Sequence, residues 1–599
     1  MTRRSTGLVL LLFAVMFALQ TLKLDSDPSP FRRFGDIMDE GYYMHNARSK
    51  VLFASFMPDQ FNLAYVGAPL FTGLQYLVLN AFGVSFVAAR SLSMVAFWLL
   101  QIMVFLLIRR THSTRAAVAA TVALGTMHEM LFYARWATPL MLVLMWETAV
   151  LFLWTTKKGS RIAWPLLAGV ALSMAFLSSF TAAHLLPSMV VFVVGDCYLR
   201  KESGARSMAA FGAGVLVVML PFALVHIGPH LSYFRSFMTD HGRYRLQMSL
   251  AGVPAQIRSA AIAPGIFRYP STAVLLVLAL SWGFGFVRRS FTEGLLTTLR
   301  DLSTVEFFSL CMIVGTAATL ALTGALTIDR RTVMLVPPAF FLAVSRLLAR
   351  PRSDPRGSAA GLTGAHSSHR EAHPPRRLRP GGLLLAGLMW ALSAYYLNAG
   401  LTSVSALIRN SFQFDASVPC LVFSIVLGGI FAFLLVPERR GLTGEAFLVA
   451  FVVINLTLDT VWFATASRSV VECSRRVANL SHHGEKITGP LSHWLALESN
   501  AHPIWFRGRL NRASGTNGWF SRHVGSSEFL LVNALSFDNW GDEGDAPPGS
   551  RGIVESLRKR YVDLSDVKHL RRRPLLTIGL CPYPFSRVCR FTGTLYRVD

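Results

Sequence analysis

Asp36, Asp39 and Glu40 place three carboxylates within five residues, and Tyr42, Tyr43, His45, Asn46, Arg48 and Lys50 follow at once. Such a set can do proton and anion chemistry. A carboxylate takes the proton from a hydroxyl, and guanidinium or ammonium groups hold a departing anion. If residues 36–50 are helical, Asp39, Tyr43, Asn46 and Lys50 share one face at three- and four-residue spacing, with Asp36 four residues before Glu40. Acids then open the helix and bases close it, as the helix dipole favours. A solvated, capped helix at a membrane surface has the same features, so the surrounding elements decide the meaning.

Those elements are membrane spans. The chain has 599 residues, 52% hydrophobic and 15% charged, with mean hydropathy +0.44, which is too apolar for a soluble globular protein. Apolar runs of about twenty residues recur, each long enough to cross a bilayer. A net charge of +25 would suit a nucleic-acid binder, but here the basic residues gather at the ends of alternate apolar runs. That is the pattern of cytoplasmic loops, so nucleic acid is excluded as a partner. The six cysteines show no metal-ligand spacing: Cys197, Cys311 and Cys420 lie in or beside apolar runs, and Cys473, Cys581 and Cys589 in the polar C-terminal part.

The fold expected is a polytopic α-helical membrane domain over residues 1–466, followed by a small extracytoplasmic α/β domain over 467–599. Thirteen spans are predicted, at 7–22, 91–108, 116–132, 139–155, 162–178, 182–198, 208–227, 272–287, 305–326, 333–348, 383–407, 421–436 and 446–464. Arg109-Arg110, Lys157-Lys158, Arg200-Lys201, Arg288-Arg289 and Arg439-Arg440 close alternate spans, which puts the N-terminus inside and the C-terminus outside. The first run lacks a small-residue cleavage site and is read as an uncleaved helix. The first outer loop, 24–90, then carries the acidic motif, with an interfacial helix at 68–82. Residues 350–380, rich in Arg, Pro, Gly, Ser and His, read as a disordered cytoplasmic linker. In the C-terminal part, strands are expected at 529–532 and 575–578 and helices at 492–498 and 553–561. Cys581 and Cys589 suit either a disulfide or free thiols.

Ionisable residues at span ends or inside spans carry the remaining information: Glu129, Arg135, Glu147, His184, Arg330, Arg331 and Asp459. Asp329-Arg330-Arg331 sits at a predicted outer end, against the positive-inside pattern, and an anionic lipid phosphate is a natural partner for such a fork. Outer carboxylates facing outer arginines suit a displacement whose leaving group is a lipid-embedded phosphate.

Asp39-Glu40-Gly41-Tyr42-Tyr43, followed by Ala47-Arg48, resembles the acidic first-loop motif of the GT-C class of polyprenyl-phosphate-sugar-dependent glycosyltransferases, in the bacterial branch related to protein O-mannosyltransferases and the aminoarabinose transferase of lipid A. Phe82-Gly83-Val84-Ser85, Ala88-Ala89-Arg90-Ser91, Tyr133-Ala134-Arg135, and Arg330-Arg331 ahead of Val336-Pro337-Pro338 are further similar segments. The resemblance implies a multi-pass plasma-membrane enzyme that moves a hexose or pentose from a polyprenyl phosphate to an acceptor hydroxyl, on a lipid, glycan or protein, with inversion. It makes Asp39 the catalytic carboxylate with Glu40 beside it. Tyr43, Arg48, Lys50, Arg135, Arg330 and Arg331 become candidates for donor and phosphate binding, and a divalent metal is possible. Many relatives carry an acid shortly after the second-loop arginine, where this chain has Ala137-Thr138-Pro139; Glu129 and Asp36 are the candidates to supply it. Two other classes compete: a transporter or flippase of lipid-linked sugars, with Glu147 and Asp459 as a proton pathway, and a non-catalytic scaffold of the same fold.

Overall fold

The computed structural model describes residues 3–27, 39–56, 64–156, 162–200, 204–229, 231–232, 234–235, 253–262, 269–323, 329–348, 440–488, 492–504, 529–534, 572–580 and 591–598. Helices dominate. α1 (Arg3–Thr21) precedes α2 (Asp39–Phe53), α3 (Ala64–Gly67) and α4 (Pro69–Phe82), the helices of the first loop. Next come α5 (Phe86–Thr111), α6 (Thr114–Gly125), α7 (His128–Ala134), α8 (Leu140–Thr155) and α9 (Ala163–Ser178). A 3-10 turn at Phe180–Leu185, α10 (Leu186–Val194) and a π turn at Gly195–Leu199 form one continuous rod. α11 (Ala205–Phe222) ends in a second π turn, Ala223–Ile227. The helical series closes with α12 (Val253–Ile262), α13 (Pro270–Glu293), α14 (Leu295–Asp301), α15 (Thr304–Leu322), α16 (Asp329–Thr332), α17 (Val336–Leu348), α18 (Arg440–Thr465) and α19 (Ser469–Leu480).

Among the described residues, five helices are long and apolar enough to cross a membrane, or six if the bent pair α6–α7 is one span. Large apolar side chains such as Leu99, Val191, Leu216, Leu220 and Val314 stay exposed along these rods, as a lipid-facing surface requires. The spans predicted at 383–407 and 421–436, the linker 350–380, the helix at 553–561 and Cys581 and Cys589 lie outside the described residues. Cys197, Cys311 and Cys473 are buried, and Cys311 and Cys473 are free thiols.

Local chemistry explains most boundaries. Ser85 caps α5 by accepting from the Ala88 amide, and Ser303 with Glu306 forms a full capping box on α15. Arg110, at the basic end of α5, lies over the Phe152 ring and donates to Thr156 Oγ1 at 2.7 Å. α9 and α11 pack backbone against backbone through glycines. A Cβ on Gly169 would stand 2.1 Å from the Phe211 carbonyl oxygen, and one on Gly214 would stand 2.0 Å from that of Leu166. Small residues are what let membrane helices approach so closely. Gly214→Ala is therefore expected to destabilise the purified protein by about 1–3 kcal/mol, the usual range for overpacking. An unchanged melting temperature in detergent would contradict that.

The span predicted over 116–132 is broken. α6 stops at Gly125 and α7 leaves at 64° to it. Both orphaned helix ends find side-chain partners elsewhere: Gln20 of α1 donates to the Gly125 carbonyl at 2.8 Å, and Asn455 of α18 accepts from the His128 amide at 2.9 Å. α12 lies between the spans predicted at 208–227 and 272–287.

At the C-terminal end, α20 (Ser492–Leu495) accompanies β1 (Lys486–Thr488), β2 (His502–Ile504), β3 (Phe529–Ala534), β4 (Arg572–Leu580) and β5 (Phe591–Val598). The sheet order is β2-β1-β3-β5-β4, parallel across β2-β1-β3 and antiparallel across β3-β5-β4. β4 is an edge strand, and its register shifts between Pro574 and Leu576, where a proline is tolerated.

Candidate active site

The acidic motif opens α2: Asp39 is its first residue and Glu40 its second. Glu40 is fully buried and its carboxylate is completely engaged. Arg90, near the start of α5, grips it with a two-pronged fork, Nε to Oε1 at 2.7 Å and Nη2 to Oε2 at 2.8 Å. The Ala137 amide donates to Oε1 at 3.0 Å, and the Trp494 indole N–H donates to Oε2 at 3.0 Å. Arg90 Nη1 goes on to the carbonyls of Leu24 and Ser26, at 3.0 and 2.6 Å. The first loop, α5, the α7–α8 turn and the C-terminal part therefore meet at one carboxylate. A buried ion pair of this kind persists only when its remaining valences are satisfied, and here they are.

Gly41 has a packing reason. A Cβ there would lie 2.7 Å from the Trp494 amide nitrogen, so only glycine lets α2 sit against α20. Arg48, fully buried two turns further on, donates to three carbonyls of the C-terminal part: Leu497 at 3.0 Å, Ser499 at 2.5 Å and Ala501 at 2.7 Å. Burial pushes its guanidinium down to about 9, which leaves it charged at neutral pH. Asp27 completes the seam. Its Oδ2 accepts from the Ser469 amide at 2.9 Å and its Oδ1 from the Val470 amide at 3.1 Å, capping α19 from across the chain.

Arg135 ends α7 and is buried. It donates to the carbonyls of Gln20 and Leu22 at 2.8 and 2.7 Å and to that of Lys23, and lies over the rings of Trp462 and Phe463. A cation at a helix C-terminus satisfies the last carbonyls in this way. His128 Nδ1 meets Asp459 Oδ1 at 2.7 Å, and Asn455 Oδ1 also accepts from Ser271 Oγ at 2.5 Å. Arg331, in α16, is buried, and its Nη1 donates to His184 Nε2 at 2.8 Å. Lys50 donates to the Ala54 carbonyl at 2.9 Å, at the end of α2. The half-buried Tyr43 ring packs edge-on to Tyr42 and Phe71. Glu129 is buried, with Oε2 unpartnered, and both carboxyl oxygens of Glu147 lack a partner. No group of three or more His, Cys, Asp or Glu side chains among the described residues is arranged to hold a metal ion.

Residues 66–227 match the family described as dolichyl-phosphate-mannose-protein mannosyltransferase. ArnT from Cupriavidus metallidurans in the apo state superposes with TM-score 0.55 at 14% identity, over 99% of this chain and 98% of that one. The fold is that of the GT-C glycosyltransferases. ArnT bound to undecaprenyl phosphate gives TM-score 0.52 at 14% identity, over 98% of both chains. No sequence among curated proteins matches.

Within this GT-C fold, the expected site residues divide. Glu40, Arg48 and the α7–α8 turn that follows Arg135 are drawn together with α20, whereas Arg331 pairs with His184 between α16 and the turn at Phe180–Leu185. α2 is described from Asp39 onward, and residues 36–38 of the helix predicted from 36, Asp36 among them, lie outside the described residues. Arg330 lies beside Arg331 in α16. Arg90, Trp494 and Asp27, which hold the acidic motif and the start of α19 in place, are not among the candidate site residues that the sequence offers. The signal for Arg90 was available: it is an arginine at the predicted outer end of a span, the same departure from the charge rule that singles out Arg330 and Arg331.

Proposed function

We propose that this GT-C chain transfers a sugar from a polyprenyl phosphate to an acceptor hydroxyl, on the non-cytoplasmic side of the membrane, in one inverting displacement. Asp39 is the general base: its carboxylate takes the acceptor proton as the hydroxyl oxygen attacks the anomeric carbon. The bond to the phosphate oxygen breaks, and the electron pair leaves on the lipid phosphate. A phosphate monoester dianion is a stable leaving group, so cations can replace a general acid. Arg331 and Arg330 are the residues assigned to it, with Tyr43 and Lys50 on the face of α2 that Asp39 starts. Arg48 and Arg135 act as positioning residues, since most of their donors are used on carbonyl oxygens, Arg48 Nη1 excepted.

One observation carries the choice of base. Every bonding direction of Glu40 that the fold offers is taken by Arg90, Ala137 and Trp494. A carboxylate whose oxygens are all engaged by donors has none turned to an acceptor hydroxyl, so the neighbouring acid of the motif takes that role, with Glu40 fixing the backbone beneath it.

The experiment is transfer in proteoliposomes supplied with radiolabelled undecaprenyl-phospho-sugar and an acceptor-containing membrane extract. Label is expected to move to acceptor only with the intact chain, and at the same rate after an uncoupler dissipates the proton gradient. The unpartnered carboxyl of Glu147 is what a proton-coupled lipid transporter would use. Activity that disappears with the gradient, without covalent transfer, would establish that second reading instead.

A further inference from the structure

Gly41, His45 and Arg48 fall at i, i+4 and i+7 of α2, so one stripe of that helix meets the C-terminal part. A Cβ on Gly41 would lie 3.0 Å from the His493 carbonyl carbon, and Arg48 donates to the carbonyls of Leu497, Ser499 and Ala501. Between these two contacts the His45 ring meets the His493 ring edge-on, with centroids 4.4 Å apart. His502, on β2, adds a third ring 6.0 Å from His45. Phe53 closes the row, with its ring 5.4 Å from that of His502 and 6.0 Å from the Arg48 guanidinium. His45 is 2% exposed and His493 6%, so the seam is dry.

Histidine is the side chain whose charge changes between about pH 5 and 8, and here it lines a seam in which Arg48 already carries a buried positive charge. The acids on the surrounding elements are engaged with other donors. Glu40 holds the Arg90 fork and the Trp494 indole. Glu498 pairs with Arg475 at 3.0 Å and accepts from the Phe86 amide at 3.2 Å. Glu485, next to β1, accepts from the His482 amide at 2.5 Å. α19 exposes Glu472, Arg475 and Arg476, and Lys50 bonds the Ala54 carbonyl. The titratable side chains of α3 and α4, which pack on α2, are Tyr65 and Tyr76. Lys486 lies on β1, and the His483 ring lies 5.3 Å from that of Phe53.

A proton on His45 would stand 4.4 Å from the His493 ring and one helical turn from Arg48, in a place without bulk water. Like charges at that range oppose one another, and burial penalises each of them. In an undocked chain the same imidazoles are solvated and take protons near pH 6.5. The undocked state then binds more protons, so docking weakens as pH falls below about 6.5. The limit is about tenfold per pH unit for each histidine held neutral. We infer that His45 and His493 form a proton-sensitive latch, which docks the C-terminal part on α2 at neutral pH and loosens it in acid. Trp494 follows His493 directly, so opening the latch also withdraws the indole from Glu40. The acidic motif then loses an anchor with no change in its own residues. The latch needs only the docked seam and holds whatever the chain transfers.

The test is hydrogen exchange on the full chain in nanodiscs, between about pH 7.5 and 5.5, with rates corrected for the intrinsic pH dependence of amide exchange. Protection of residues 492–501 is expected to fall about a hundredfold across that range, about tenfold for each histidine, while α5 and α8 keep theirs. His45→Gln, neutral at every pH, should remove about tenfold of that fall, and His45→Gln with His493→Gln nearly all of it. Parental protection at the upper pH shows that a variant docks. In the unsubstituted chain, protection that stays flat or rises in acid overturns the latch, and this arm needs no variant. A double variant that docks and keeps the parental pH dependence overturns it too. Should the double variant not dock, His45→Gln alone decides, and an undiminished fall in that variant overturns the latch.

Discussion

Asp39→Asn is expected to lower kcat for sugar transfer by at least about a hundredfold, the lower bound for losing a positioned general base. The amide keeps the size and polarity of the carboxylate but takes no proton. Glu40, one residue away, cannot substitute, because rotating it toward an acceptor would break the Arg90 fork and uncover two buried charges. KM for the lipid donor and the melting temperature of the variant should be close to those of the parent protein, since the substitution leaves the Glu40 network whole. Turnover near the parental value would remove Asp39 from the chemistry and shift attention to Asp36. Loss of donor binding in place of turnover would instead give Asp39 a binding role.

The second large effect is structural. Arg90→Met leaves Glu40 buried with two neutral donors and no counter-charge, and removing one partner of a buried pair typically costs about 3–5 kcal/mol. Thermal unfolding in detergent should show a marked drop. A double variant, Arg90→Met with Glu40→Gln, should recover much of it, because no charge is then left unpaired. Arg90→Lys should rescue poorly, since an ammonium cannot reach both carboxylate oxygens in the plane and the Leu24 and Ser26 carbonyls as well. A single Arg90→Met variant that melts like the parent would show that the pair contributes little.

Much of this was legible in the order of residues. Hydropathy and basic pairs located helices at all the spans that the described residues cover, because twenty apolar residues have few alternatives in a bilayer. The break between α6 and α7 was not legible: residues 116–132 stay apolar throughout, and the groups that stabilise the bend, Gln20 and Asn455, come from 105 residues before and 327 residues after it. The acidic motif was legible from residue type alone. The uses of the arginines were not, since a guanidinium binds a phosphate and a row of carbonyls with the same geometry. Arg48 and Arg135 look like Arg331 in the sequence, and only the approach of residues 497–501 and of the α1 end shows what they hold. Asp459 finds a partner on a neighbouring helix in His128, whereas neither carboxyl oxygen of Glu147 has one among the described residues, a difference that the two apolar surroundings do not announce.

The bond from Trp494 to Glu40 spans 454 residues of chain. Translation at about 5–20 residues per second puts tens of seconds between the emergence of the acidic helix and the arrival of the indole that completes its anchor. Arg90 arrives early and can neutralise Glu40 almost at once, but the three carbonyls that hold Arg48 come as late as Trp494 does. A nascent chain therefore carries its acids into the membrane long before they are locked in place. A ribosome that stalls, or a gene truncated ahead of residue 494, yields a bundle whose reactive corner is unfinished. The docking of residues 494–501 onto α2 is therefore a late step in the making of this protein.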